Sequence, residues 1–190
     1  KSLFYSKIGN YCIFSTDNIL ISKIVNLATV GFYTNYISIV TIVRGIITSI
    51  FNGITASFGN FAVNGSGDSQ RNIFEIMEFM SFSMYGYCTI VFLMIINNFI
   101  SIWIGETYLL DNISVTFICL NFYLMGTQSP LDTIKDATGF YKKDQFIPLI
   151  QASINICLSI ILGIKFGLIG IIIGTTISYV ILPCWNKPYL

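Results

Sequence analysis

Six apolar stretches, each long enough to cross a bilayer, fill this chain almost end to end. Only 10% of its 190 residues are charged, and the mean hydropathy is +0.75. A soluble domain of this size needs far more surface charge. An apolar run of about 20 residues spans about 30 Å of hydrocarbon as a helix. Hydrocarbon offers the backbone no hydrogen-bond partners, so such runs must satisfy their own N–H and C=O groups as helices. The expectation is an all-α polytopic membrane protein, a six-helix transmembrane bundle.

The spans are read at residues 11–25, 33–61, 79–96, 113–131, 146–164 and 168–182. The first is imperfect, because Thr16, Asp17 and Asn18 lie inside it. Asn64-Gly65-Ser66-Gly67-Asp68-Ser69 reads as a loop. A more polar helical approach with Arg71, Glu75 and Glu78 precedes the third span. Pro130 is expected to kink the end of the fourth. Lys135 to Asp144 is the most charged loop. Pro148 suits the first turn of the fifth helix, and Pro183 is expected to end the sixth. The chain opens on Lys1 and runs almost at once into a span, which reads as a piece of a longer protein.

Orientation follows from lysine and arginine, which gather on the cytoplasmic side. With the amino terminus inside, Lys1, Lys7, Arg71, Lys135, Lys142, Lys143 and Lys187 all fall inside. Lys165 falls outside, and Lys23 sits near the outer end of the first span. The outside loop Gly105 to Asp111 carries acid and no base. Trp103 and Tyr108 beside it read as interface anchors.

Several chemistries are excluded at this stage. The chain has no histidine, which removes a zinc site or a Ser-His-Asp triad built from this chain alone. Cys12, Cys88, Cys119, Cys157 and Cys184 are scattered through apolar runs without a CxxC, so they read as small buried residues. No basic cluster of the kind that holds nucleic acid is present. The loops are too short for an extramembrane catalytic domain. No enzyme activity, catalytic residue, metal or cofactor is expected.

The second span is the informative one. Thr34, Ser38, Thr41, Gly45, Thr48, Asn52, Thr55 and Gly59 recur at steps of three and four, which puts them along one helix face. Such a stripe either packs helices together or walls a water-filled cavity. Arg44 tilts the reading towards the cavity. It stands midway along the helix between Thr41 and Thr48, and a guanidinium there costs about 2.5–3.5 kcal/mol on insertion scales without water or a partner. Asp17, with Asn18, is the second intramembrane polar site. It could carry a coupling proton or sodium, bind substrate, or pair with Arg44. Gly167, Gly170, Gly174 and Ser178 in the sixth span read as a helix-packing seam.

Several strings occur in a recognisable order. They are Thr16-Asp17-Asn18-Ile19-Leu20-Ile21-Ser22, Val30-Gly31-Phe32-Tyr33-Thr34-Asn35-Tyr36 and Ile54-Thr55-Ala56-Ser57-Phe58-Gly59-Asn60. They continue with Trp103-Ile104-Gly105-Glu106-Thr107-Tyr108-Leu109-Leu110 and Lys135-Asp136-Ala137-Thr138-Gly139-Phe140-Tyr141. Gly167-Leu168-Ile169-Gly170-Ile171-Ile172-Ile173-Gly174-Thr175 completes the series. Together they resemble the carboxy-terminal half of bacterial polysaccharide repeat-unit flippases. These are the Wzx-type O-antigen and capsule transporters of the multidrug/oligosaccharidyl-lipid/polysaccharide exporter superfamily.

The resemblance implies two six-helix bundles facing each other across a central cavity in the bacterial cytoplasmic (inner) membrane. This chain would supply the second bundle, and its partner would be the missing amino-terminal one. The implied substrate is an undecaprenyl-diphosphate-linked oligosaccharide, flipped by alternating access, with the polysaccharide polymerase machinery as a possible neighbour. Arg44, Asp17, Asn18, Asn35, Thr41, Thr48 and Asn52 are the candidate cavity residues. A drug or cation exporter, a peptidoglycan-precursor flippase of the same superfamily and, more remotely, a membrane polysaccharide polymerase stay open as alternatives. The drug exporter would favour acidic cavity residues over Arg44.

Cysteine labelling in intact cells, with the native cysteines replaced, tests the orientation. A membrane-impermeant reagent should reach a cysteine at position 107 and miss one at position 142. The reverse pattern would invert the topology.

Overall fold

A computed structural model describes residues 16–64, 67–138 and 147–186. The loops at Asn64–Ser69 and Lys135–Asp144, as well as Lys1, Lys7 and Lys187, fall wholly or partly outside the described residues. The regular structure of the described residues is all helical, with no strand among them. The elements are α1 (residues 16–24), α2 (Leu27–Asn64), α3 (Gly67–Trp103), a short 3-10 turn (Glu106–Tyr108), α4 (Asn112–Thr138), α5 (Ile147–Phe166) and α6 (Leu168–Asn186). Among the described residues, three stretches are long and apolar enough to cross a membrane: Leu27–Phe51, Phe74–Trp103 and Ile147–Phe166. The apolar part of α6, Leu168–Ile181, is shorter. α4 is diluted by Asn112, Asn121 and Gln128.

The helix boundaries have local causes. Asn26 breaks the chain between α1 and α2, and its Oδ1 accepts the Thr29 N–H at 2.7 Å, an N-cap bond that satisfies a free donor of α2. Asp111 does the same for α4, accepting the Ser114 N–H at 2.9 Å. α5 ends where Gly167 takes φ +64°, a left-handed turn that leads straight into α6. α2 and α3 hold 38 and 37 residues. At 1.5 Å per residue each is about 55 Å long, well beyond the hydrocarbon thickness. The third span was expected to stop near residue 96. Its helix continues to Trp103, because Asn97 and Asn98 dilute the apolar pattern without interrupting backbone hydrogen bonds.

The bundle has an apolar core that includes Ile21, Phe51, Ile100, Phe122 and Ile171, but α5 turns its polarity the other way. α5 buries Gln151, Ala152, Asn155, Ser159 and Gly163 and exposes Ile150, Ile160, Ile161, Ile164 and Phe166. α3 exposes Phe79, Phe82, Ile90, Met94 and Ile102. Large apolar side chains suit a lipid-facing surface, while small and polar ones let helix backbones approach. α5 and α6 form the closest hairpin. A Cβ on Gly170 would overlap the Leu162 carbonyl, and one on Gly174 would stand 2.7 Å from the Ser159 backbone N and Oγ. The seam expected from Gly170 and Gly174 is therefore a helix contact.

α4 touches α2, α3 and α6, and so joins the two sides of the bundle. Its contact with α3 depends on Pro130. The helix runs through this proline to Thr138 rather than ending beside it. Pro130 has no N–H, so the Gly126 carbonyl four residues back loses its helical donor. The buried Ser81 hydroxyl of α3 supplies one, at 2.7 Å. One turn along, Tyr85 lays its ring on Gly126, where no Cβ would fit, and packs against Phe122 with ring centroids 5.0 Å apart. At one end of the bundle, Tyr36 donates to Asn97 Oδ1 (2.6 Å) and accepts from the Leu110 N–H (3.0 Å). This ties α2 and α3 to the connection that leads into α4.

Gly126→Ala should destabilise the protein by about 1–3 kcal/mol through overpacking against Tyr85. Ser81→Ala should cost about 1–2 kcal/mol by orphaning a buried carbonyl. Thermal unfolding in detergent measures both, and unchanged stability of both variants would contradict this crossing.

Candidate functional site

α2 brings Arg44 inward on the same side as Tyr33, Ile37 and Val40, with Thr41 beside it. α4 faces it with Ile118, Asn121, Phe122 and Met125. α1 and α6 close the other side with Asp17, Thr175 and Tyr179. Together they line a cavity of about 40 Å³, room for roughly two or three water molecules. Thr41 is exposed and Arg44 half-buried. Asp17, Tyr33, Thr175 and Tyr179 are buried. The cavity is thus graded, with its cation nearer the outside and its acid deep within.

Asp17 is only 3% exposed. The Thr175 hydroxyl donates to its carboxylate, 3.0 Å from one oxygen and 3.3 Å from the other. Asn155 of α5 donates to Thr175 Oγ1 at 2.9 Å, which leaves the hydroxyl proton free for Asp17. The Tyr33 hydroxyl is a second hydrogen-bonding neighbour of the acid. This chain of contacts joins α1, α2, α5 and α6. Its acceptors exceed its donors, because Asn155 Oδ1 is buried without a partner. Asn121 repeats the pattern on α4. It donates to the Ile172 carbonyl at 3.4 Å, and its own Oδ1 is buried and unpartnered.

Arg44 has different surroundings. Its charge acts on the hydroxyls of Tyr85 and Tyr179. The Tyr85 hydroxyl is buried beside Thr48 and Arg44, its hydrogen-bonding neighbours. Among the described residues no ion pair joins Arg44 to Asp17, although both line one cavity. A guanidinium carries five N–H donors, more than the Tyr85 hydroxyl beside it can accept.

The expected cavity residues therefore divide. Asp17, Arg44 and Thr41 meet in the cavity, and half-buried Thr48 stands behind it near Tyr85. Asn18 is half-buried with an unpartnered Oδ1, and neither it nor Asn35 lines the cavity. The side chain of Asn52 lies outside the described residues. Elsewhere on the stripe of α2, Thr34, Ser38 and Gly45 are exposed, and a Cβ on Gly45 would meet nothing within 4 Å among the described residues. Five residues that sequence reasoning did not single out complete the site, namely Tyr33, Asn121, Asn155, Thr175 and Tyr179. The one signal available for the amides was that Asn121 and Asn155 are isolated polar residues in apolar runs.

Chemically, the site can hold an anion against Arg44 and a proton or cation against Asp17. Among the described residues no group of three histidine, cysteine, aspartate or glutamate side chains could hold a metal ion. Comparison with protein-family models, curated proteins and solved structures gives no match.

Proposed function

We propose that this chain is half of a two-bundle membrane transporter that flips undecaprenyl-diphosphate-linked oligosaccharides across the bacterial cytoplasmic membrane. The observation that carries the reading is a half-buried guanidinium, without an acid partner among the described residues, lining a cavity between helices. A diphosphate cannot enter hydrocarbon alone, and a sugar chain brings hydroxyls that need hydrogen-bond partners. Arg44 meets the first need, since guanidinium grips phosphate oxygens in a fork. The exposed hydroxyls of Thr34, Ser38 and Thr41 meet the second. The polyprenyl tail stays in lipid along the apolar outer faces. Transport then needs no covalent step, only rocking of one bundle against the other around the bound head group.

The buried acid favours a second reading. A cation or drug exporter of the same superfamily would use Asp17 as its principal binding group, with Arg44 as a counter-charge.

Export of surface polysaccharide in a strain lacking its own flippase separates the two. In the complete transporter, Arg44→Ala should abolish export with membrane insertion intact, and Arg44→Lys should retain a fraction of it. Wild-type export by Arg44→Ala would remove the anion-binding role. Rescue by the charge-neutral pair Arg44→Gln with Asp17→Asn would show that Arg44 serves only to balance Asp17.

A further inference from the structure

Two helices of the bundle run on through a proline. α4 continues past Pro130 to Thr138, and α6, expected to end at Pro183, continues past it to Asn186. Proline has no N–H, so each leaves the carbonyl four residues back without its helical donor. In α4 that carbonyl belongs to Gly126, and the Ser81 hydroxyl of α3 donates to it at 2.7 Å. In α6 it belongs to Tyr179, and the side-chain amide of Gln128 on α4 donates to it at 3.2 Å. The helices are thus held in series. α3 holds α4 and α4 holds α6, each by a side-chain hydrogen bond at the point where the backbone ladder is broken. Both breaks adjoin the cavity: Met125 of its lining precedes Gly126, and Tyr179 lines it with its side chain. The opposite end of the bundle is built differently. There Tyr36 donates to Asn97 at 2.6 Å and accepts the Leu110 N–H at 3.0 Å, and the Asn97 amide donates to Asn112 Oδ1 at 2.9 Å. None of the chain's four prolines falls at that end.

We propose that Pro130 and Pro183 are paired hinges, at which residues 131–138 of α4 and 183–186 of α6 swing outward and open the cavity at the end opposite residues 105–111, with Ser81 and Gln128 as the catches that hold them closed. A helix bends at proline because no backbone hydrogen bond spans the break. Side chains of neighbouring helices make such a break tolerable inside a membrane. Opening therefore gives up only the catch, and the freed carbonyl passes to the water that enters. Gln128 lies between Gly126 and Pro130, inside the bend of α4. Bending α4 draws its amide off Tyr179, so the two hinges release together. The ties from Tyr36 and Asn97 keep the other end in place meanwhile. This motion is local to one bundle and adds to any rocking of one bundle against another. It goes beyond the anion-binding reading and stands whatever ligand Arg44 holds.

Distances between spin labels on the complete protein in lipid nanodiscs, read by double electron–electron resonance, test the hinges. All other cysteines are replaced. The labelled pairs are Arg71→Cys with Asp136→Cys, Arg71→Cys with the native Cys184, and Ile102→Cys with Ile113→Cys at the opposite end, where both side chains are exposed. Every pair lies within one bundle, so rocking of whole bundles moves none of them. The wild type should give two distances for each of the first two pairs and one for the third. Ser81→Ala should raise the longer distance of the 71–136 pair about fivefold over the shorter, the equilibrium factor of one net hydrogen bond. The longer distance of the 71–184 pair should rise with it, and Gln128→Leu should raise that one directly. Pro130→Ala and Pro183→Ala restore the backbone N–H, and should remove the longer distance of their own helix. These two replacements test the hinges even where a catch variant folds poorly. A single distance for both of the first two pairs, in the wild type and in Ser81→Ala alike, would overturn the proposal. So would a longer distance that survives both proline replacements, or a shift shared equally by the third pair.

Discussion

In hydrocarbon, pressing two apolar helices together removes no water, so the packing of this bundle depends on how closely its backbones can approach. That requirement explains where the small residues lie. Gly170 and Gly174 let α6 meet α5 at Leu162 and Ser159, and Gly126 lets Tyr85 cover α4. Hydroxyls then use the short distances to reach carbonyls, as Ser81 does to Gly126 and Ser159 does to Ile171 at 3.2 Å. Individual hydrogen bonds of this kind contribute about 1 kcal/mol in membranes. Dispersion at close contact supplies the remainder.

The same interior makes the cavity possible. An apolar core would leave no place for Asp17, whereas a seam of Thr175 and Asn155 gives it a hydroxyl that is itself oriented by an amide. Arg44 reaches the cavity from the opposite helix and finds tyrosine hydroxyls instead of an acid. Two charges held apart within one polar space are costly to keep there. Such a cost is tolerated where ligands bind, and the site is assembled from five helices, α1, α2, α4, α5 and α6.

Much of this was legible from the chain itself, for identifiable reasons. Charge scarcity and apolar length announced the helices, and the two intramembrane charges announced themselves because each is an exception to its surroundings. The remainder depended on contacts between residues far apart in sequence. Thr175 meets Asp17 across 158 positions, and nothing in a single sequence distinguishes that threonine from Thr176, which bonds only to its own helix at the Ile172 carbonyl. Pro130 illustrates a different gap. A proline near the end of an apolar run reads as a kink, and nothing in the run reveals that a serine on the neighbouring helix supplies the missing donor. The stripe on α2 was legible as a face, but not that Thr34, Ser38 and Gly45 on it are exposed.

The central claim is that Arg44 faces an aqueous cavity and meets an anion there. Its most direct test is the accessibility of position 44 itself. With the native cysteines replaced, Arg44→Cys in native membranes should react with a charged, hydrophilic thiol reagent, and farnesyl diphosphate should slow the reaction of a cysteine at the neighbouring Thr41 while Arg44 is retained. Failure of position 44 to react with the hydrophilic reagent, alongside ready reaction with a lipid-soluble one, would place the residue in hydrocarbon or in a dry contact and contradict the account.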